Sequence, residues 1–312
     1  MTLGRTVAVH VPATSANLGP GFDTLGLALS LYDELTVTEI EPGRCDIAVQ
    51  GSGADEISRG PDNLVVQSAR RAFEHVGEPF PGLRIRATNG VPHGRGLGSS
   101  AAAVAAGLLA ARGLMRPEVA LSDDDLLTLA TEIEGHPDNV APALFGGLTI
   151  AWMHDGRPAM KKLLVHRGVS PLVFIPDYTM STAVARTLAP VQVPREDAVF
   201  NVSRSALLIA ALTQSPELLL AATEDKLHQN YRAQAMPPTS ALIARLRAAG
   251  HAAVVSGAGP SVLVLADGPG ERLDAVAIAE SANDARWQAH MLAVDVRGGR
   301  VRDITEDSTP LA

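Results

Sequence analysis

The residue types best suited to chemistry in this chain are concentrated in one stretch, 91–102, where three glycines at alternate positions precede two serines and an alanine-rich run. Because glycine has no Cβ, the backbone can adopt positive φ angles and its N–H groups can converge on one anion. The predicted following helix points its positive end into the same space. The stretch predicts a phosphate-binding loop made of Pro92, His93, Gly94, Arg95, Gly96, Leu97, Gly98, Ser99, Ser100, Ala101 and Ala102.

The spacing within this loop excludes two common nucleotide-binding patterns. A Walker loop carries a lysine after its last glycine, whereas Gly98 is followed directly by Ser99. The dinucleotide pattern needs a third glycine at the position of Ser99. The three lysines of the chain lie far from the loop, at Lys161, Lys162 and Lys226. The charge of a bound nucleotide must therefore be met by backbone dipoles, hydroxyls, arginine and Mg²⁺.

A second group of polar residues follows a helix that the sequence places from Ser122 to Gly135. Glu132 and Glu134 occupy its last turn, where the helix dipole disfavours carboxylates by about 0.3–1 kcal/mol. They are either solvated surface acids or carboxylates that face a cation. The next four residues favour the second interpretation, because His136, Pro137, Asp138 and Asn139 put an imidazole, a carboxylate and an amide into one predicted loop.

A further glycine turn, 257–260, separates two short apolar runs and predicts a hairpin. Its backbone could form a second phosphate-binding surface, or it could be a plain tight turn; its spacing does not decide between them.

The elements that must position these residues alternate between strand and helix. A strand over 7–11 is expected to end at Pro12, and a polar loop is expected to run to about Gly26. Asp62 or Asn63 can cap a helix that stops at Gly77. The strand that follows leads directly into the phosphate loop, which is the strand–glycine–helix context that such loops require.

The second half begins after a polar, basic segment at about 155–169, where we place a domain boundary. It then alternates again, which indicates an α+β domain. Strands are predicted over 172–175, 252–256, 261–265 and 290–296, and helices over 181–188, 198–213, 217–228, 239–249 and 272–285.

Composition limits the class of function. With 312 residues, a net charge of −8 and eleven aromatic side chains, the chain is large enough for two domains and lacks a basic, ring-bearing nucleic-acid surface. Cys45 is the only cysteine, which excludes an internal disulfide and fits a reducing compartment. The N-terminal residues lack a signal-peptide core, and no run of eighteen apolar residues occurs. We therefore expect a cytoplasmic protein without a membrane partner.

Together these motifs resemble a known family. Residues 91–102 match the phosphate loop of the GHMP small-molecule kinases, and 256–261 look like that superfamily's C-terminal glycine motif. The segment 12–23 is more selective, because it resembles the opening motif of the homoserine kinases, and 134–142 is similar to an internal motif of the same enzymes. The resemblance extends in order and spacing over nearly the whole chain.

This resemblance implies an α+β fold of two domains. The first, 1–160, would be an ATP-binding βαβ domain with a left-handed type of nucleotide-binding unit. The second, 161–312, would be a ferredoxin-like α/β plait. The resemblance leaves a homodimer open.

The resemblance also implies ATP as co-substrate and Mg²⁺. The nucleotide phosphates would lie in the loop from Pro92 to Ala102, the adenine near Asn63, and further contacts would come from Gly257 and Gly259. Mg²⁺ would be held by Ser99 or Ser100 and by Glu134, with Glu132 as the alternative. Hydroxyl and carboxylate oxygens suit this cation.

For the acceptor, the resemblance implies L-homoserine, phosphorylated on its hydroxyl in threonine biosynthesis. The ammonium group of this amino acid needs carboxylates and amides, and its carboxylate needs arginine. The implied ligands are Asn17, Asp23, His136, Asp138, Arg186 and Arg232, with Thr182 near the γ-phosphate.

The implied mechanism has no dedicated base. Many GHMP kinases place an aspartate beside the attacking hydroxyl, whereas the resemblance puts Asn139 there and assigns Asp138 to substrate binding. An amide cannot act as a base at neutral pH. We therefore predict direct in-line transfer in which Asp138, Asn139, Thr182 and Arg186 align the reactants. A GHMP kinase for another small alcohol and a non-catalytic metabolite-binding protein of the same fold are the alternatives.

Overall fold

The computed structural model describes residues 4–116, 118–119, 121–282 and 285–305, and for Thr182, Ala183 and Arg186 it describes only the backbone. The strands are β1 (Thr6–Asn17), β2 (Gly21–Ile40), β3 (Cys45–Gly51), β4 (Gly82–Asn89), β5 (Leu148–His154), β6 (Arg157–Leu163), β7 (Val169–Pro176), β8 (Ala253–Val255), β9 (Val262–Asp267), β10 (Trp287–Met291) and β11 (Arg300–Asp303). The α-helices are α1 (Leu64–Val76), α2 (Ser99–Leu114), α3 (Asp123–Glu134), α4 (Pro137–Phe145), α5 (Thr182–Thr187), α6 (Arg195–Thr213), α7 (Leu219–Ala222), α8 (Gln229–Arg232), α9 (Pro237–Ala248) and α10 (Pro269–Glu280).

The first sheet has seven strands and is built around the long strand β2. Its main path runs β11-β1-β2-β4-β3, and β5 pairs with another part of β2 while β6 pairs with β5. Among the strands of the described residues, only β3 and β4 run parallel, and they are joined through α1 as a βαβ unit. The handedness of this unit stays a prediction.

A helical layer packs on this sheet and carries the phosphate loop. The alanine-rich helix α2 is buried on nearly all sides, among α1, α3, α4 and the sheet. Small side chains allow this close packing of helix backbones. The core formed in this way fixes the N-terminus of α2, where the phosphate loop ends.

The second sheet is antiparallel with the order β10-β7-β9-β8. Along the chain, helices lie between β7 and β8 and between β9 and β10. This is the ferredoxin-like arrangement that the resemblance implies. One face packs against α9 and α10. The other joins α6 and residues of β2 in a core shared by both halves. The predicted α+β fold of two domains is confirmed.

Three predicted elements are wrong. The strand expected to end at Pro12 continues to Asn17, and β2 begins at Gly21 rather than after a loop to Gly26. Pro12 is tolerated because the register shifts between Pro12 and Ala13, so the strand bends at that point. The helix expected over 217–228 is broken, because α7 ends at Ala222 and a polar turn follows before α8.

Three further observations correct the predicted organisation. The segment from His136 to Asn139 is not a loop: His136 is the N-cap of α4, and Pro137 occupies its first turn. The hairpin of β5 and β6 was not foreseen. The final strand β11 pairs with β1, and so returns to the first sheet. The domain division at residue 160 stays a prediction.

Among the described residues, no helix is long and apolar enough to cross a membrane.

Candidate active site

The phosphate loop lies between β4 and the first residue of α2. Gly94, Gly96 and Gly98 all have positive φ, at 62°, 71° and 69°. Gly98 is the N-cap of α2, and no side chain caps this helix end. The exposed N–H groups and the positive end of the dipole therefore point at a space where an anion can bind. The loop therefore has the conformation that the predicted phosphate site requires, and the binding of phosphate there stays a prediction.

Two glycines of the loop are required by close contacts. A Cβ on Gly96 would collide with the Ser256 carbonyl oxygen, and one on Gly98 would collide with Thr14 Oγ1. Ser256 Oγ also donates a 2.7 Å hydrogen bond to the Gly96 carbonyl. The second glycine motif thus packs against the phosphate loop. The backbone of Gly259 contributes to this packing by contacting Gly96.

Arg95 has a different role from the one expected of a phosphate-loop arginine. Its guanidinium donates to the carbonyl oxygens of Pro176 at 2.9 Å and His93 at 3.0 Å. The side chain thereby ties the loop to the end of β7 in the second half. Direct contact between Arg95 and nucleotide phosphate stays a prediction.

A cavity of about 290 Å³ beside the loop suits a nucleoside. Its wall is mostly apolar, with polar groups from Asp33, Ser58, Asp62, Asn63 and His93. The apolar lining comes from Leu35, Ile47, Val49, Leu64, Val65, Ile85 and Ala87. Ser99 and Ser100 line this cavity and also the smaller one described below, so the two are adjacent.

The amide of Asn63 shapes this cavity. Its Oδ1 accepts a 3.0 Å hydrogen bond from the Val65 N–H and caps α1, while its Nδ2 donates to the Ser58 carbonyl at 2.7 Å. The side chain therefore holds the cavity wall in place. Asn63 lies where the adenine was predicted, and its contact with a nucleotide stays a prediction.

Asp33 is a buried carboxylate in the same cavity wall. Its Oδ1 accepts a 2.9 Å hydrogen bond from the N–H of Val91, the residue at which the phosphate loop begins. Burial raises the pKa of Asp33 from 3.8 to about 6, against the lowering effect of backbone N–H donors at Val91 and Gly90. Asp33 therefore holds the start of the loop at a cost in folding stability.

This cost predicts a pH-dependent effect of Asp33→Asn. Because burial raises the pKa of Asp33 in the folded state, the contribution of this side chain to folding stability is fully present below about pH 4. It decreases above that pH and is lost as the pH rises through about 6. A shift of about 2 pKa units corresponds to about 3 kcal/mol. We expect Asp33→Asn to exceed the wild type in unfolding free energy by up to about 3 kcal/mol at pH 7.5, and by much less at pH 4.5.

Urea unfolding at both pH values measures this effect. The exposed Asp155→Asn is the control for loss of a charge, and its difference from the wild type should not follow the same pH course. A wild-type-to-Asp33→Asn difference that is the same at both pH values would contradict the prediction.

The second cavity, of about 80 Å³, brings together most of the predicted site. Its lining is Asn17, Asp23, Gly94, Gly96, Gly98, Ser99, Ser100, Glu134, His136, Asp138, Asn139, Arg232, Gly257 and Ala258. These residues come from the first strands, the phosphate loop, the junction of α3 and α4, and the second half. The side chains of Thr182 and Arg186 lie outside the described part of the chain.

The two candidate metal-binding carboxylates, Glu134 and Glu132, have different partners. Glu134 Oε2 accepts a 2.7 Å hydrogen bond from Ser100 Oγ at the start of α2. Glu132 instead forms an exposed ion pair of 3.0 Å with Arg71. A hydroxyl and a carboxylate beside a phosphate cradle form a donor set that suits Mg²⁺, with phosphate oxygens and water completing its shell. Ser100 and Glu134 are the residues that would hold this ion.

The imidazole of His136 and the carboxylate of Asp138 form a hydrogen bond across the first turn of α4. Asp138 is buried, and its position near the helix N-terminus stabilises its negative charge. The next residue, Asn139, accepts a 2.9 Å hydrogen bond through Oδ1 from Thr14 Oγ1. Thr14 is the residue that packs against Gly98, so the amide and the phosphate loop share one support.

Asn17 and Asp23 lie at the turn between β1 and β2. Both have positive φ, at 69° and 52°. Asn17 Oδ1 accepts from the Asp23 N–H at 2.9 Å, and its Nδ2 donates to the Gly257 carbonyl at 2.8 Å. Asn17 thus connects this turn with the second glycine motif and holds Asp23 at the cavity rim.

Arg232 is supplied by the second half and is only 2% exposed. Its Nε donates to the Ala185 carbonyl at 3.1 Å, and its guanidinium carbon lies 5.2 Å from the centre of the Phe22 ring. The contact to Ala185 brings the backbone of α5 beside the cavity, next to Arg186.

Sequence reasoning does not select Thr14, Phe22, Asp33, Asp225 or His228 as individual site residues. His228 stands four residues before Arg232, the spacing of neighbours on a helix, which was a usable signal. The signal was missed because the expected helix 217–228 ended just before Arg232.

Comparison with known proteins agrees with this fold. The family model for the N-terminal domain of GHMP kinases matches residues 63–147, and that for their C-terminal domain matches 206–287. Fold and site together define a GHMP small-molecule kinase, an enzyme that uses ATP.

Relatives with high sequence identity identify one family within this class. A homoserine kinase of Clavibacter michiganensis is 60% identical over 312 residues, which is 100% of this chain and 99% of the relative. One of Leifsonia xyli is 60% identical over 98% of this chain and 94% of the relative. The chain belongs to the homoserine kinase family. A crystal structure of the homoserine kinase from Cytophaga hutchinsonii superposes with a TM-score of 0.83 at 27% identity, over 95% of this chain and 97% of that one.

Proposed function

We propose that this enzyme transfers the γ-phosphoryl group of ATP to the hydroxyl of L-homoserine, giving O-phospho-L-homoserine. One observation carries this proposal. A single small cavity beside the phosphate loop contains Asp23, Asp138 and the buried Arg232. A zwitterionic amino acid needs both signs of charge, whereas a sugar needs neither.

The two ends of the substrate match the two sides of this cavity. Asp23 and Asp138 suit the ammonium group, and Arg232 suits the carboxylate. The predicted second arginine, Arg186, would reach the same carboxylate from α5. With both ends fixed, the side-chain hydroxyl of homoserine points toward Ser100 and the N-terminus of α2.

Positioning and electrostatics account for the chemical step. The N–H groups of the phosphate loop bind the nucleotide phosphates, and the site places the acceptor oxygen in line with the γ-phosphorus. Mg²⁺, when bound by Ser100 and Glu134, supplies positive charge for the phosphate oxygens. Asn139 cannot take a proton, so the hydroxyl attacks the γ-phosphorus directly. The bond from that phosphorus to the bridging oxygen breaks, ADP leaves, and the hydroxyl proton passes to the transferred phosphate.

The absence of a base predicts different effects for two neighbouring residues. We expect Asn139→Ala to lower kcat less than about 10-fold, since loss of a general base costs about 10²–10⁴-fold. Asp138→Ala should instead raise the KM for L-homoserine. Steady-state kinetics for both substrates measure these changes. A loss of kcat in Asp138→Ala with an unchanged homoserine KM would contradict the assignment of Asp138 to binding.

A substrate panel tests the proposed function itself. ADP release coupled to a detector enzyme should occur with L-homoserine and be weak with L-serine, mevalonate and galactose. Turnover of mevalonate or galactose without turnover of L-homoserine would favour a GHMP kinase for another alcohol. No turnover of any alcohol would favour a metabolite-binding protein, although such a protein has no need for the Ser100–Glu134 pair.

A cytoplasmic location, the absence of nucleic-acid partners and a homodimer remain predictions. The first two rest on the lone cysteine and the acidic net charge of −8.

A further inference from the structure

A buried histidine that the mechanism does not use lies between the two halves of the site. His228 is the N-cap of α8 and is fully buried. Its Nε2 is 2.8 Å from the carbonyl oxygen of Gly19, in the turn between β1 and β2. Its Nδ1 is 3.2 Å from Nη1 of Arg232, one helical turn further along. One imidazole therefore contacts both a backbone of the first half and the substrate-binding arginine of the second.

The partners fix the protonation state of this ring. A guanidinium can only donate, so Nδ1 must accept the hydrogen bond from Arg232. A carbonyl can only accept, so Nε2 must carry the proton. Both contacts are satisfied by one neutral tautomer, and neither a doubly protonated ring nor the other tautomer satisfies both. Burial lowers the pKa of His228 and outweighs the raising effect of the Asp225 carboxylate, whose Oδ2 lies 3.6 Å from Nε2, which agrees with a neutral ring.

Neighbouring groups hold the ring in this orientation. The Phe22 ring stacks on the imidazole with centroids 4.9 Å apart and planes inclined by 19°. Phe22 also contacts the guanidinium of Arg232, so arginine, phenyl and imidazole form one packed group. Asp225 accepts hydrogen bonds from the backbone N–H groups of Leu227, His228 and Gln229, which fixes the start of α8.

We propose that His228 is a positioning residue that sets homoserine affinity by aligning the Arg232 guanidinium with the 17–23 turn. This inference rests on the proposed function, because it assumes that Arg232 binds the carboxylate of homoserine. His228 itself touches neither substrate nor nucleotide. It acts through Arg232 on one side and through Gly19 on the other.

Two conservative variants separate these contacts. The amide of Gln can replace Nε2 as donor to Gly19 but removes the Nδ1 acceptor of Arg232 Nη1, whereas the oxygen of Asn can replace Nδ1 but does not reach Gly19. We expect His228→Gln to raise the homoserine KM at least 10-fold and His228→Asn to raise it less. The KM for ATP should stay within twofold in both, because the nucleotide cavity has no contact with His228 among the described residues.

A matched control is His251→Gln, which also removes a buried imidazole from the second half. His251 lines neither of the two cavities of the site, so its replacement should leave the homoserine KM unchanged. Equal rises in the KM for ATP and for homoserine in the His228 variants would indicate a general structural role and would overturn the proposal.

A double-mutant cycle tests whether His228 acts through Arg232. In an Arg232→Lys background, adding His228→Gln should change the homoserine KM less than twofold, since the arginine that it aligns is gone. A full and independent 10-fold effect in this background would overturn the proposal.

Nitrogen NMR of the ¹⁵N-histidine-labelled wild type tests the same idea without a variant. The Nε2-protonated tautomer is expected at pH 7.5, and L-homoserine should shift the Nδ1 resonance. An Nδ1-protonated ring, or no response to L-homoserine in an enzyme that phosphorylates it, would overturn the proposal. A wild-type enzyme that fails to phosphorylate L-homoserine would instead overturn the proposed function.

Discussion

Replacing Gly98 by alanine is expected to lower kcat/KM for ATP at least 100-fold. The added Cβ would collide with Thr14 Oγ1 and approach Asn139 Oδ1 to 3.3 Å. Because φ is +69° at this position, the substitution also strains the backbone. The two effects together should lower the unfolding free energy by about 2–4 kcal/mol.

The collision matters more for activity than the strain. Thr14 cannot move away without breaking its 2.9 Å hydrogen bond to Asn139, so the first turn of α2 must shift instead. A shift of the helix N-terminus moves the N–H groups that bind phosphate.

Gly250→Ala is the matched control for this substitution. Gly250 also has a positive φ, of +95°, but a Cβ there would meet nothing within 4 Å. It should lose about 1–2 kcal/mol of stability and keep kcat/KM within twofold. Steady-state kinetics and thermal unfolding of both variants measure the difference. Equal losses of activity would show that backbone strain alone, rather than the contact with Thr14, determines the effect.

Glu134→Gln is expected to lower kcat by about 10²–10³-fold, the usual effect of removing an electrostatic group that supports the transition state. The substitution keeps the shape of the side chain and removes the charge that lies beside Ser100 Oγ. The concentration of Mg²⁺ needed for half-maximal rate should rise. Rates measured over a Mg²⁺ titration give both quantities.

Glu132→Gln is the control two residues earlier on the same helix. Its carboxylate pairs with Arg71 at the surface, so its loss should change kcat less than twofold and stability by less than about 1 kcal/mol. A large loss of kcat in Glu132→Gln, together with a nearly normal kcat in Glu134→Gln, would show that Glu132 holds the metal. That result would contradict the assignment of Glu134.

The phosphate loop could be predicted from the sequence because its chemistry is local. Glycine spacing, the serines and the start of α2 all lie within about a dozen residues, and the structure confirms their strand–loop–helix context. The prediction that Ser100 and Glu134 lie close together depended on the resemblance to a family. No local sequence pattern indicates which residues of two helices will meet.

The elements that were mispredicted failed for identifiable reasons. In the second half of β1 every residue from Val11 to Asn17 is buried, so the strand shows no alternation of apolar and polar residues. In the segment after α7, the carboxylate of Asp225 binds backbone N–H groups that a continuous helix would need. Neither effect is visible in apolar periodicity.

The contacts of His228 show more clearly what cannot be predicted from the sequence. Its contact with Gly19 joins positions 209 residues apart, and its contact with Arg232 joins positions one helical turn apart. Long-range partners of this kind are set by the packing of the two halves, which a single sequence does not encode as a motif.

The return of β11 to the first sheet affects the order in which this protein can fold during synthesis. Strand β1 ends at Asn17, whereas β11, one of its two neighbours, begins only at Arg300, so β1 is made long before this partner. Until residue 303 has left the ribosome, β1 offers an unpaired edge to other chains. The first sheet can therefore be completed only after the strands of the second sheet, β7 to β10, have been made.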